Sequence, residues 1–277
     1  MNYPKVLTIQ DVSCVGQCSL TVALPIISAC GVETCILPSA VLSTHTCGFT
    51  GFTCRDLTDD VPAIAAHWKK EGITFDAVYT GYLGSTKQID YVRDIMRDAA
   101  GSLKIVDPAM ADGGKLYPAF DGAYVAAMRA LYRDADVVLP NITEAALLCG
   151  MDYRETYDRA YIDELLRRLT DGWNGTVVLT GVSYAAGKTG VVTYQNGSYH
   201  YYEHEKLPTS YHGTGDVYAS AFTGILMRDE KRDVSRAAAL AAQFVLACIK
   251  ATVGDDNHKY GVKFETALPQ LWQLMQQ

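Results

Sequence analysis

Apolar positions along this chain fall into two alternating patterns. Short β-branched runs at residues 6–10, 34–37, 77–80, 104–107, 137–140 and 177–180 read as strands. Between them, stretches of helical period at 20–30, 61–70, 88–99, 119–133, 144–149 and 161–169 read as helices. Such alternation predicts an α/β fold with a mostly parallel central sheet flanked by helices on both faces. From Gly190 the pattern changes. Val191-Val192-Thr193-Tyr194, the turn Gln195-Asn196-Gly197-Ser198 and Tyr199-His200-Tyr201-Tyr202 make a hairpin signal. A long apolar helix around 235–251 and a closing helix near 264–275 follow. No linker, repeat or low-complexity tract interrupts residues 1–277, so one domain is expected.

In open parallel sheets, ligands collect beyond the carboxyl ends of the strands, and polar clusters lie there in this sequence. Asp11 and Ser13 follow the first strand, and Ser43-Thr44-His45-Thr46 follows the second. Gly81-Tyr82-Leu83-Gly84-Ser85 ends the third and Asp107-Pro108-Ala109-Met110-Ala111-Asp112 the fourth. Asn141-Ile142-Thr143-Glu144 ends the fifth and Thr180-Gly181 the sixth.

The most informative segment is Tyr211-His212-Gly213-Thr214-Gly215-Asp216, directly before a small-residue helical run. Two glycines around a threonine at a helix start let backbone N–H groups converge on an anion, with the helix dipole adding partial positive charge. Asp216 puts a carboxylate beside that anion hole, which suits receiving or orienting a hydroxyl that attacks a nucleotide's terminal phosphate. Plain helix-start geometry is the other reading. The segment is neither a P-loop nor a dinucleotide fingerprint.

Composition narrows this picture rather than making it. The 277 residues are 49% hydrophobic and 20% charged, ordinary for a soluble globular protein. No basic region followed by an apolar signal core opens the chain, and no apolar run approaches a membrane span, so a cytoplasmic protein with no membrane partner is expected. Most of the eight cysteines read as small buried apolar groups rather than disulfides, and Cys14 and Cys18 lack a partner pair at zinc spacing. A formal charge of −7 without a Lys/Arg cluster argues against nucleic acid as the main partner.

Taken in order, these residues resemble the pyridoxal/pyridoxamine kinases of the ribokinase-like superfamily. The resemblance covers nearly the whole chain and rests on Thr8-Ile9-Gln10, Ser43-Thr44-His45-Thr46, Gly81-Tyr82-Leu83-Gly84-Ser85, Asp107-Pro108-Ala109-Met110-Ala111-Asp112, Pro140-Asn141-Ile142-Thr143-Glu144 and Gly213-Thr214-Gly215-Asp216. It implies a ribokinase-like three-layer fold and ATP-dependent phosphoryl transfer to the 5′-hydroxymethyl group of a B6 vitamer, by a homodimer using Mg²⁺.

The resemblance also assigns roles. Asp216 matches the catalytic carboxylate, and the helix dipole at its position predicts an ionised, weakly basic group that orients the acceptor. Gly213, Thr214 and Gly215 would donate to the transferring phosphate, with Thr214 as an N-cap in the plainer reading. Asp107, Asp112 and Glu144 look like metal ligands, and Asp107, Asn141 and Glu144 line the triphosphate side; a strand terminator at Asp107-Pro108 and a helix-start acid at Glu144 are the alternatives. Tyr117, after Gly113-Gly114, would close a loop over the reacting centre. Thr180 and Gly181 fall on the nucleotide side, and Lys188 would reach a phosphate. The vitamin pocket would take Asp11, Ser13, His45, Thr46 and Tyr82.

Asp11 departs from the family, whose better-known members carry Ser there. A carboxylate offers a charge-assisted bond to a ring nitrogen or ammonium and predicts a shift toward pyridoxamine. A hydroxymethylpyrimidine or sugar kinase of the same fold, and a non-catalytic B6-binding protein, are the rival readings. Phe49 and Phe52 in the N-terminal part favour a flat aromatic ring over a sugar.

Overall fold

The computed structural model describes residues 3–258 and 260–277. The chain enters through β1 (Lys5–Ser13), crosses by α1 (Leu20–Ala29) to β2 (Glu33–Leu42), and adds a short β3 (Cys54–Asp56). Helix α2 (Val61–Lys70) leads to β4 (Ala77–Thr80), and α3 (Thr86–Asp98) to β5 (Leu103–Val106). A small hairpin, β6 (Ala111–Asp112) and β7 (Lys115–Leu116), precedes α4 (Gly122–Arg133) and β8 (Val137–Val138). Helices α5 (Ile142–Cys149) and α6 (Arg159–Thr170) then lead to β9 (Thr176–Val182). The hairpin β10 (Lys188–Gln195) and β11 (Ser198–Glu205) is followed by α7 (Thr214–Arg228), α8 (Val234–Thr252) and α9 (Phe264–Met275).

Nine strands form one sheet in the order β11-β10-β9-β8-β5-β4-β1-β2-β3. The six strands from β9 to β2 run parallel, while β3, β10 and β11 are antiparallel additions at the edges. Strand residues alternate between two cores. Val6, Tyr79, Ile105 and Val178 face the layer of α1, α7, α8 and α9, whereas Leu7, Val78, Val106 and Leu179 face the layer of α3, α4, α5 and α6. This is the three-layer α/β sandwich expected from the sequence.

The departures have local causes. Strand β2 runs through Pro38, which the sequence pattern treats as its end. The partner β3 reaches only residues 40–42, so the missing N–H of Pro38 lies where the edge has no ladder to fill. Helix α4 begins at Gly122 rather than 119, because the Asp121 side chain caps it by accepting from the Tyr124 N–H. The β10–β11 turn is as expected, with Asn196 at φ 49° and Gly197 at φ 80°.

One expectation is overturned. Helix α8 is, among the described residues, the one helix long and apolar enough to cross a membrane, with a mean hydropathy of 1.4. Its charged residues are spaced widely enough to leave such a window. Its apolar residues Ala237, Ala238, Leu240, Ala241, Phe244 and Cys248 are nonetheless buried in the core shared with α7 and α9.

Candidate active site

Parallel strands bring their carboxyl ends to one side of the sheet, and α7 points its first turn at the same side. Gly213 stands at the N-cap of α7 with φ 75°, a left-handed conformation, and no side chain caps the helix. The Thr214 hydroxyl turns back to the Tyr211 carbonyl at 3.2 Å, so Thr214 is the first helical residue and not the N-cap considered above. The first-turn N–H groups of α7 thus lack a side-chain acceptor, the condition under which a helix start takes an anion. A Cβ on Gly213 would fall 1.8 Å from the Gln17 carbonyl oxygen, so only glycine lets the β1–α1 loop lie this close.

Asp216, in the first turn of α7, is half-buried. Burial, and next the charge of Asp11, push its carboxyl up to about 7, against the opposing influence of the nearby Ser19 amide and Cys18 thiol. This corrects the expectation of an ionised, weakly basic group. Removal from water and a second nearby acid outweigh the helix dipole.

Asp11 sits where β1 shifts register against β2, between Gln10 and Val12. It is buried, and its two oxygens accept from Ser19 Oγ at 2.6 Å and Ser13 Oγ at 3.0 Å. Burial raises its pKa. Its charge acts on His45, Tyr82, Cys18, Cys54 and Asp216, which therefore lie near it. His45 is buried and bonds through Nε2 to the Tyr260 carbonyl, while its Nδ1 accepts from the Cys47 N–H. Phe49 meets the His45 ring edge-on, with centroids 5.0 Å apart. Thr46 is exposed beside Cys47.

Tyr82 belongs to an aromatic row that sequence reasoning missed. Its ring lies 5.5 Å from Phe120, which stacks on Tyr124 at 3.7 Å and lies 6.3 Å from Tyr117. The row joins the Asp11 pocket to the β6–β7 hairpin. Tyr117 follows that hairpin, partly exposed, and the charges of Glu144, Asp107 and Asp216 act on its hydroxyl. Burial and these charges push its pKa up.

The acidic group on the nucleotide side differs from the expectation. Asp112 is exposed and accepts from the Gly113 N–H. Glu144 is buried, accepting from Met110 N at 3.0 Å, Ala111 N at 3.4 Å and Asn141 N at 2.9 Å. It closes a capping box with Asn141, whose amide also reaches the Ala111 carbonyl. Among the described residues no three His, Cys, Asp or Glu side chains group to hold a metal ion. Asp107, Asp112 and Glu144 therefore do not form one ligand set, because two of them are engaged by backbone amides.

Asp107 is different. It is buried at the end of β5, and among the described residues no donor bonds its side chain. Burial and the charges of Glu144 and Asp216 hold its pKa well above the usual carboxylate range. A buried carboxylate without a donor fits a hydrated divalent cation, which takes one or two protein carboxylates and keeps several waters.

Thr180 bonds to the Pro140 carbonyl beside Asn141, and Gly181 follows at φ 75°. Lys188 is exposed at the start of β10, across from Glu205, and the structure does not bring it to these acids. Grooves of about 740 Å³, between β11, α8 and α9, and about 260 Å³, beside Tyr211 and Asp255, are not lined by Asp11.

The Phosphomethylpyrimidine kinase family profile matches residues 24–263. A Bacteroides thetaiotaomicron VPI-5482 protein of the phosphomethylpyrimidine kinase type, solved with pyridoxal, is 39% identical, with a TM-score of 0.91 over 98% of this chain and 96% of that one. Pyridoxal kinase from Lactobacillus plantarum is 33% identical, with a TM-score of 0.92 over 99% and 98% of the two chains. The thiamine biosynthesis multifunctional protein ThiED of Corynebacterium efficiens is 28% identical over 79% of this chain, which spans only 29% of that protein's length. Pyridoxine kinase of Bacillus subtilis is 29% identical, over 65% of this chain and 66% of its own. A profile match running from α1 to the start of α9 means that the chain belongs to the phosphomethylpyrimidine kinase family, within the ribokinase-like fold that pyridoxal kinases share.

Proposed function

We propose that residues 1–277 form one kinase domain that transfers the terminal phosphate of ATP to the 5′-hydroxymethyl group of a B6 vitamer. The observation that carries this reading is the uncapped start of α7 with Asp216 in its first turn, close enough to Asp11 for the two charges to act on each other. In the reaction the acceptor oxygen forms a bond to the γ-phosphorus while the bond to the β–γ bridging oxygen breaks and ADP leaves. The acceptor's proton passes to Asp216, which is poised near neutrality and is a better base than an ordinary aspartate. The amides of Gly213, Thr214 and Gly215 receive charge on the transferring group.

Asp107 would hold Mg²⁺, whose charge would offset that of the phosphates. Asn141 and Glu144 act through the backbone, fixing residues 110–111 and with them the hairpin that carries Tyr117. Thr180 and Gly181 border the nucleotide. On the acceptor side, the His45–Phe49 pair and Tyr82 offer flat apolar faces, and Asp11 and Ser13 offer polar ones. The relative solved with pyridoxal supports the vitamer assignment. A cytoplasmic homodimer completes the proposal, and sedimentation equilibrium reads its oligomeric state.

The family description and the ThiED relative favour a second reading, a hydroxymethylpyrimidine kinase. A coupled ADP-release assay over pyridoxal, pyridoxine, pyridoxamine, hydroxymethylpyrimidine and ribose separates the two. The expected result is highest kcat/KM for a B6 vitamer. A higher value for hydroxymethylpyrimidine overturns the first reading, and no ADP release with any acceptor overturns both.

A further inference from the structure

The loop between β1 and α1 contains a residue to which the kinase reading gives no part. Ser19 lies at φ 54°, ψ −132°, a conformation that glycine adopts freely and residues with a Cβ rarely do. Asn196 and Arg232, the other described non-glycine residues at positive φ, are exposed, whereas Ser19 is buried. Ser19 also occupies the N-cap of α1, where a serine hydroxyl ordinarily accepts from the helix's first amides, yet it makes no capping bond. Its hydroxyl donates instead to Asp11 Oδ1 at 2.6 Å, and its N–H is turned toward the Asp216 carboxylate and favours the charged form. One residue thus bonds one of the two acids with its side chain and turns its backbone N–H toward the other.

Two neighbouring carboxylates repel, and without shared donors they turn apart. Ser13 holds the far oxygen of Asp11 and the Cys18 thiol lies near Asp216, while among the described residues Ser19 is the one that both bonds Asp11 and turns an N–H toward Asp216. We propose that Ser19 is a positioning residue of the phosphotransfer, held in a strained backbone conformation so that it locks Asp11 to Asp216 and keeps the acceptor hydroxyl aligned with the phosphate. The proposal rests on the kinase reading and adds a residue to it. The Asp11 departure then has a structural counterpart: a buried carboxylate at position 11 requires a donor, and Ser19 gives up its cap to supply one.

Ser19→Gly is the most selective test, since glycine accepts the same backbone conformation and retains the N–H while losing the hydroxyl. Steady-state kinetics on the full chain are expected to show kcat/KM for the acceptor falling about tenfold, the worth of a bond to a charged group, with KM for ATP changed less than about twofold. In an Asp11→Ala background the same substitution is expected to cost less than about twofold, because the hydroxyl has lost its partner. Ser19→Ala repeats the cycle should the glycine variant not fold. Wild-type kcat/KM in Ser19→Gly, an equal loss in both backgrounds, or an equal rise in KM for ATP overturns the proposal. A wild-type enzyme that turns over no acceptor instead overturns the kinase reading beneath it.

Discussion

The Nε2 atom of His45 lies 2.8 Å from the carbonyl oxygen of Tyr260, 215 residues further along the chain. Since Nδ1 accepts from the Cys47 N–H at 3.1 Å, Nε2 carries the proton and the ring is neutral. Burial, the largest influence, lowers its pKa, and protonation would break the Cys47 bond. His45 therefore fastens the pocket wall to the segment before α9 and offers a ligand its face, not a nitrogen.

His45→Ala removes both bonds and leaves the Tyr260 carbonyl and Cys47 amide without their partner. It is expected to lower stability by about 1–3 kcal/mol. Acceptor KM is expected to rise several-fold with ATP KM unchanged. Thermal denaturation and two-substrate kinetics read the two effects. Wild-type stability would show that the Tyr260 contact contributes nothing.

Asp216 predicts a pH profile. kcat/KM for the acceptor reports the free enzyme, so it should rise with a midpoint near pH 7 as the carboxyl ionises. The sign for stability is opposite. A carboxyl whose folded pKa is raised stabilises fully below its unfolded value near 4, and that contribution is lost as pH climbs through about 7. Asp216→Asn should therefore cut turnover by about 10²–10⁴-fold yet raise the thermal midpoint relative to wild type at pH 8 and not at pH 4. Calorimetry at the two pH values, beside the kinetic profile, checks both halves.

The sequence showed the strand ends well because each is a β-branched run closed by a polar or glycine residue, as at Thr80-Gly81 and Val106-Asp107. It did not show β3, β6 and β7, which have two or three residues each and no periodicity to detect. A helix-start acid was visible at Glu144 in Asn141-Ile142-Thr143-Glu144, but a ligand role and a scaffold role use the same residue. Backbone amides from 110 and 111 decide between them, and they arrive through the fold. Ser19 gave no signal, because nothing in Cys18-Ser19-Leu20 announces a positive φ. The raised pKa of Asp216 likewise depends on Asp11, 205 residues earlier in the chain.

Glu144 separates scaffold from metal ligand. Burial pushes its carboxyl up to about 8, while the amides of Asn141, Met110 and Ala111 favour the charged form. Glu144→Gln turns an NH₂ group toward these donors and leaves at least one amide unpaired. The expected outcome is a loss of about 1–3 kcal/mol in stability, read by urea unfolding, and a higher KM for ATP as the hairpin before Tyr117 loosens. A direct ligand would instead give unchanged unfolding, with a loss of kcat that excess Mg²⁺ partly restores.

Gly213→Ala tests whether the start of α7 requires its close contact with the β1–α1 loop. The new methyl would meet the Gln17 carbonyl at 1.8 Å, and φ 75° is itself unfavourable for alanine. Relief of the clash must move either the helix start or residues 16–19, and Cys18 and Ser19 among them lie close enough to act on Asp216. The first-turn amides and the catalytic acid therefore shift together. Loss of one preorganised set of donors costs about 10²–10³-fold in turnover, and a larger fall is expected here because the base moves as well. Gly215→Ala, two residues later, meets no atom within 4 Å of the added methyl beyond its chain neighbours and its own helix backbone, and provides the control. If the two variants retain similar turnover and similar thermal midpoints, the contact between α7 and the β1–α1 loop does not set the geometry of phosphoryl transfer.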